Sequence, residues 1–126
     1  MGSLDAWLVA SGFVIFGQQV WVIRLVQCVL YLGTIATTFI LGKVIFRSEK
    51  TGLLAACLMV IPTVNVTLYT TASLGGYGEA LLLGNLLLLH TIRIARKSAD
   101  EAVFTDMFLW GFLFGLGWWV FGLTLV

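Results

Sequence analysis

A long apolar run from Val20 to Phe46 constrains the fold of this chain more than any other stretch. Its only charged residues are Arg24, near the beginning, and Lys43, near the end. About 20 apolar residues suffice for a helix to cross a bilayer, so the run predicts a membrane-spanning helix with some tilt. Composition agrees, because 10% of the residues are charged, whereas soluble domains average about 25%. We therefore expect an integral membrane protein, since a soluble domain would need a far more polar surface.

Four further apolar stretches complete the expected architecture. The first is too short to span and is closed by Gly17 and two glutamines, so we expect an interfacial or re-entrant helix there. Pro62 lies inside a later stretch and predicts a kink, because proline removes a backbone donor. The expected segments are an interfacial helix at 4–16 and spans at about 20–46, 51–69, 80–95 and 107–126. They predict an all-α membrane protein with about four transmembrane helices plus a short N-terminal helix, in a single membrane domain covering residues 1–126.

The stretch Ser73–Glu79, with the sequence SLGGYGE, separates the second and third expected spans. Three glycines so close together disfavour a helix interior, so we expect the chain to turn here. The turn would place Tyr77 and Glu79 at a membrane boundary. A carboxylate at that depth requires a partner or a function.

The basic residues predict which side of the membrane each junction faces. Six of the seven fall near the junction of the first and second spans or that of the third and fourth: Lys43, Arg47, Lys50, Arg93, Arg96 and Lys97. Because cytoplasmic loops are rich in Lys and Arg, both junctions are expected to be cytoplasmic. The N-terminal segment, Arg24 and the SLGGYGE stretch would then face the extracytoplasmic side.

The ionisable and phenolic residues expected on the outer side suggest a site: Asp5, Arg24, Tyr69, Tyr77 and Glu79. An intramembrane arginine near two carboxylates indicates a function, because charges at that depth are costly. Arg24 would hold the phosphate of a lipid-linked substrate, and a carboxylate would bind or activate a hydroxyl. In the structural alternative, Arg24 reaches the headgroups, Glu79 stabilises the start of a helix and the tyrosines lie at headgroup level.

Other residues that often carry chemistry are assigned packing roles. Cys28 and Cys57 lie inside apolar runs and are expected to be inert packing residues. His90 has no nearby Cys, Asp or second His to complete a metal site. Gly111 and Gly115, four residues apart, predict a face for a helix–helix partner. No cofactor and no nucleic-acid partner are predicted, and the use of a divalent metal is left open.

Three segments resemble polytopic glycosyltransferases of the GT-C class, in the family 39 or dolichyl-phosphate-mannose protein mannosyltransferase-like group. MGSLDAWLVASGFVIFG with WVIRLVQ resembles the first outer loop and the start of the second helix, whereas LYTTASLGGYGEALLLGNLLLL and WGFLFGLGWWV resemble later helices. The resemblance implies sugar transfer from a polyprenyl-phosphate donor to an acceptor outside the cytoplasm of a bacterium, with inversion at the anomeric carbon. It implies catalytic roles for Asp5 and Glu79 and a matching arginine at Arg24. We add phosphate binding by Arg24, and Tyr77 as a second substrate-binding candidate.

Members of that group extend further at both ends, so we expect this chain to be a fragment that is inactive alone. Two alternatives from other classes remain open. One is a non-catalytic membrane subunit or scaffold, which would form a stable complex with another membrane protein. The other is a transporter of a lipid-linked substrate, which would use Arg24 without chemistry.

Overall fold

The structure, a computed structural model, describes residues 4–61, 77–96 and 104–120. Within these ranges the chain forms five helices and no strand. The helices are α1 (Leu4–Phe16), α2 (Val20–Phe46), α3 (Glu49–Val60), α4 (Tyr77–Ala95) and α5 (Phe104–Val120). The prediction of an all-α fold is confirmed.

α1 and α2 form a tight antiparallel hairpin. Gly17 turns the chain with a φ of 85°, a conformation that glycine adopts without strain. Its amide donates to the Phe13 carbonyl at 2.9 Å. The helices pack closely above the turn, because a methyl group added at Gly12 would lie 2.8 Å from Val22 Cγ1. α1 therefore lies along the first half of α2.

α3 returns antiparallel along the second half of α2. The two backbones touch at Gly42 and Gly52, where a methyl group added at Gly52 would lie 2.7 Å from the Phe39 carbonyl oxygen. Toward the other end of α3, the Tyr31 hydroxyl donates to the Met59 carbonyl at 2.5 Å. Small residues at such a crossing let two helices approach closely.

α4 packs against α2 and runs in the same direction. Near its start, Leu82 fills the space beside Gly33, since a methyl group at Gly33 would lie 3.3 Å from Leu82 Cδ1. Just beyond the end of α4, Arg96 Nη2 donates to the Val44 carbonyl at 2.6 Å. The contacts therefore follow the same order along both helices, as expected for parallel helices.

A polar cluster fixes the register between α2 and α4. Asn85 Nδ2 donates to Thr38 Oγ1 at 2.9 Å and to Thr37 Oγ1 at 3.1 Å. Each hydroxyl in turn donates to a carbonyl one turn earlier in α2, on Gly33 and Thr34. The hydroxyls can do both because each carries one donor and two lone pairs. In membrane bundles an interhelical hydrogen bond is worth about 0.6 kcal/mol on average.

α5 packs antiparallel to α4. His90 Nε2 lies 3.0 Å from the Asp106 carbonyl oxygen, and Trp110 Nε1 donates to Thr91 Oγ1 at 2.9 Å. His90 is buried at this contact. It therefore has the packing role that the sequence indicates.

The start of α4 corrects one prediction. The helix begins at Tyr77 rather than near Ala80, so the expected turn is wrong for Tyr77, Gly78 and Glu79. Two effects favour the earlier start: Gly78 contacts α2 closely, and a carboxylate in the first turn interacts favourably with the helix dipole. Residues 73–76 of the SLGGYGE stretch lie outside the described residues.

Two other predicted segments differ in their bounds. The second expected span, 51–69, corresponds in its first part to α3, which begins earlier, at Glu49. The kink expected at Pro62 lies outside the described residues. The last expected span, 107–126, corresponds to α5, which begins at Phe104, and residues 121–126 lie outside the described ranges.

α2 and α4 are long and apolar enough to cross a membrane. In the most apolar 18-residue window of each, only 17% is buried, whereas the core helix of a soluble protein would be mostly buried. Large apolar side chains on several helices point outward: Leu32, Leu53, Leu58, Leu88, Phe108 and Trp118. Such a surface favours lipid or another protein as its surroundings. α3 has 12 described residues and α5 has 17, so a count of four spans stays a prediction.

One end of the helix bundle collects basic residues. The end of α2, the start of α3 and the end of α4 meet there and carry Lys43, Arg47, Lys50, Arg93 and Arg96. Lys43 forms an ion pair with Glu49. The hydrogen bond from Lys43 and then its charge lower the pKa of the exposed Glu49 carboxyl. The turn between α1 and α2 lies at the opposite end.

Candidate functional site

A buried amide in α2 organises the candidate site. Gln27 is 4% exposed, and its Nε2 donates to Asp5 Oδ1 of α1 at 2.8 Å. A carboxylate among apolar side chains needs such a donor, because burying its charge without one is costly. Gln27 therefore holds Asp5 against α2.

The first turn of α4 approaches the same amide. A methyl group added at Gly78 would lie 3.0 Å from Gln27 Oε1, so the lack of a side chain there lets α4 come close. Glu79 follows and is only 1% exposed. Its carboxyl lies near enough to Asp5 for the two groups to interact electrostatically. Asp5, Gln27 and Glu79, from three helices, are called the acidic cluster below.

The Glu79 carboxylate is buried without a well-formed hydrogen bond to any of the described residues. Neither of its oxygens has a hydrogen-bond partner of good geometry among the described residues. The Asp5 side chain, which also adds a like charge, and the backbone amide of Glu79 both lie within reach of the carboxyl without meeting that geometry. A buried ionised carboxylate left in this state costs several kcal/mol. A proton, a cation or a donor supplied by a ligand would remove that cost.

Arg24 lies beside the acidic cluster without pairing with it. It is exposed and precedes Gln27 by three residues, a spacing that separates Cβ atoms on a helix by about 5–6 Å. Within the part of the chain that the structure describes, no ion pair joins Arg24 to Asp5 or Glu79. The structure therefore brings the two predicted acids together and leaves the predicted phosphate ligand at their edge.

Tyr77 is the first residue of α4 and is partly exposed. It lies two residues before Glu79 and makes a contact of its own. A role for Tyr77 in substrate binding stays a prediction. Tyr69, the other tyrosine expected on the outer side, lies outside the described residues.

An apolar groove between α1 and α2 adjoins the acidic cluster. Its volume is about 240 Å³, and Leu8, Val26 and Leu30 are among the side chains that line it. Leu8 follows Asp5 by one helical turn, and Val26 and Leu30 flank Gln27 in α2. Leu30 also lies within 4 Å of a methyl group added at Gly78. Leu30 therefore contacts both the groove and the first turn of α4.

The role of Gln27 was missed in the sequence. A usable signal was the spacing of polar residues in α2, where Gln27, Thr34 and Thr38 recur at intervals of seven and four. Such spacing places them on one face of a helix. α4 repeats the pattern, with Gly78 and Asn85 seven residues apart, and these residues contact that face.

The other residues discussed above form no second site. Cys28 and Cys57 are free and exposed, so the expectation that they pack inside is wrong: they lie on the outward sides of α2 and α3. Gly111 and Gly115 have no atom within 4 Å of an added methyl group. No group of three or more His, Cys, Asp or Glu side chains that could hold a metal occurs among the residues described.

No family model, curated protein or solved structure matches the chain. The resemblance to polytopic glycosyltransferases therefore stays a prediction.

Proposed function

We propose that this chain is part of a membrane glycosyltransferase that transfers a sugar from a polyprenyl-phosphate donor to an extracytoplasmic acceptor. One observation carries the proposal: Asp5 and Glu79, far apart in sequence, meet beside Gln27 in an otherwise apolar environment. Paired carboxylates of this kind bind and activate hydroxyl groups. An exposed arginine on the neighbouring turn suits a phosphate.

A membrane location follows from the outward apolar surfaces of α2 and α4. We assign the protein to a bacterial inner membrane, with the basic end of the bundle in the cytoplasm, because cytoplasmic loops are rich in Lys and Arg. The acidic cluster lies nearer the turn between α1 and α2 than the basic end. It would therefore open toward the extracytoplasmic side.

The chemistry is a displacement at the anomeric carbon of the sugar. The acceptor hydroxyl oxygen forms the new bond to that carbon while the bond to the phosphate oxygen breaks, and polyprenyl phosphate leaves. One carboxylate of the acidic cluster takes the proton of the acceptor hydroxyl, and the other orients the acceptor. Arg24 binds the phosphate, which gains negative charge as the bond breaks.

The test is sugar transfer from radiolabelled polyprenyl-phosphate sugars in membrane vesicles that contain the whole glycosyltransferase of which this chain is proposed to be a part. Asp5→Asn and Glu79→Gln should each lower kcat/KM by about 10²–10⁴-fold, the usual contribution of general acid–base catalysis. Arg24→Ala should weaken donor binding and raise KM. Glu49→Gln, which alters an exposed carboxylate at the basic end, should leave transfer unchanged. Undiminished transfer by the first three variants, with the protein inserted normally, would remove these residues from the site.

A non-catalytic membrane subunit is the second candidate, and one observation favours it. Gly111 and Gly115 lie exposed on α5, with open space where a side chain would be. Glycines four apart allow close helix contact in membranes. This function predicts a stable complex that Gly111→Leu disrupts, together with no dependence on lipid-linked sugars.

A further inference from the structure

The basic end of the bundle carries cations that no acid of the described chain pairs. We propose that Arg47, Lys50 and Arg93 bind the headgroup phosphate of an anionic phospholipid at this end. The cations lie where the two long apolar helices stop, since α2 ends at Phe46 and α4 at Ala95. Lipid binding can be measured without sugar transfer, so this proposal and the proposed function can fail separately.

Three exposed cations at the basic end have no acidic partner. Arg47 directly follows α2, Lys50 is the second residue of α3, and Arg93 lies in the last turn of α4. All three are exposed, and no ion pair joins them to an acid within the described ranges. Glu49, the acid next to Lys50, is already paired with Lys43. The three charges are therefore available to a ligand.

The excess of positive charge also holds when the linker between α4 and α5 is counted. By sequence, six of the seven basic residues lie at or next to this end, against four of the six acids. Residues 97–103, which form that linker, lie outside the described residues. A negatively charged partner is therefore favoured over a neutral one at this end.

Arg96 shows how closely the ends of α2 and α4 meet. Its Nη2 donates to the Val44 carbonyl at 2.6 Å, and the last four carbonyls of a helix lack a partner inside it. Arg47 follows Val44 by three residues, and Arg93 precedes Arg96 by three, a spacing that brings neighbouring side chains together. Arg96 therefore acts by positioning, because it holds Arg93 in the same region as Arg47.

Arg47 occupies a backbone position that favours glycine. Its φ is 52°, in the left-handed region where a side chain is sterically unfavourable. Helices commonly end at such a residue, and it is usually glycine. A guanidinium group stands there instead, so Arg47→Gly separates the effect of the charge from the effect of the fold.

The surroundings of Arg47 suit a phospholipid better than another phosphate compound. Guanidinium groups bind phosphate oxygens through pairs of parallel hydrogen bonds. Ile45 and Phe46, directly before Arg47, are large, apolar and 49% and 65% exposed. A phospholipid can contact both kinds of residue, because its acyl chains cover the apolar side chains while its phosphate reaches the cations. A nucleic acid or a soluble phosphate would leave Ile45 and Phe46 facing water.

The test compares phosphatidylglycerol with phosphatidylcholine, each carrying the same fluorescent label on one acyl chain. Binding to the protein in dodecyl maltoside micelles is measured by fluorescence anisotropy, with empty micelles as the blank. Phosphatidylglycerol should bind tenfold or more tightly, because each cation near a membrane surface contributes about fivefold. Added NaCl should lower this preference, since salt screens exposed charges. Equal affinity for the two lipids would overturn the proposal, and this comparison needs no variant.

Variants then locate the binding. Arg47→Gly should reduce the preference about fivefold without lowering the unfolding temperature, whereas Arg47→Lys, which keeps the charge, should retain the preference. Arg93→Gln should also reduce it, and Glu49→Gln, which releases Lys43 from its ion pair, should increase it. A preference unchanged in both Arg47→Gly and Arg93→Gln would overturn the proposal. Displacement of phosphatidylglycerol by glycerol phosphate, at matched ionic strength, would overturn it in favour of a soluble phosphate ligand.

Discussion

Among single residues, Glu79 lies in the least favourable surroundings for its side chain, because a carboxylate favours water or well-formed hydrogen bonds. It is a carboxylate buried to 1% exposure with no hydrogen bond of good geometry to the other described residues. The sequence could identify Glu79 and Asp5, because acids bordering apolar runs are rare and costly. It could not identify their link, because the hydrogen bond from Gln27 to Asp5 joins residues 22 apart. A lone amide in an apolar run has many structural roles.

Replacing Glu79 tests whether its burial carries an energetic cost. Glu79→Gln keeps the shape, removes the charge and adds two N–H donors that can face Asp5. We expect the free energy of unfolding to rise by about 1–3 kcal/mol, the penalty of an unsatisfied buried polar group. The measurement is thermal unfolding in detergent micelles. Glu49→Gln, at an exposed carboxylate with an ion-pair partner, should give no rise, and a lower unfolding temperature for Glu79→Gln would show that the carboxylate is stabilised in place.

Among the helices, close contact depends on glycines at particular crossings. α1 and α2 have the residue ranges that the sequence pattern indicates, because Gly17 and the two glutamines break the apolar run clearly. The start of α4 was misplaced, because glycine propensity argued for a turn. At Gly78 the same lack of a side chain allows contact with Gln27. Tertiary packing of this kind overrides local propensity.

Two glycine substitutions test these crossings. Gly52→Ala would bring a methyl group within 2.7 Å of the Phe39 carbonyl oxygen, so α2 and α3 must separate. Overpacking of this kind costs about 1–3 kcal/mol. Gly84→Ala, in the middle of α4 with no atom within 4 Å of the added methyl group, should instead stabilise by about 0.5–1 kcal/mol. Thermal unfolding compares the two, and equal effects would contradict the packing described for α2 and α3.

For the whole molecule, composition was sufficient to predict a helical chain with an apolar exterior. It could not predict that α4 runs parallel to α2, because that depends on contacts such as Asn85 with Thr37 and Thr38. Nor could it fix the number of spans, since α3 and α5 are shorter than a spanning helix within the described residues. The sequence also predicts that two junctions between spans lie on the same side of the membrane. The basic residues gathered at one end of the bundle agree with that prediction.

Thiol labelling tests the assignment of the two ends. In a background with Cys28→Ala and Cys57→Ala, single cysteines are introduced by Gln18→Cys, at the turn between α1 and α2, and by Ser48→Cys, at the basic end. An impermeant maleimide added to intact cells should label position 18. Position 48 should be labelled only after the membrane is opened. The reverse pattern would contradict the orientation.

The most direct measurement is cross-linking between α1 and α4 at the acidic cluster. In the same cysteine-free background, Asp5→Cys with Glu79→Cys is oxidised in membranes, and mass spectrometry of the intact monomer counts the remaining free thiols. The pair should form an internal disulfide rapidly, whereas Asp5→Cys with Asp106→Cys, whose positions lie at distant levels of the bundle, should not. Cross-linking of positions 5 and 79 no faster than this control would mean that the two acids do not meet, and no transfer site could then be assigned to them.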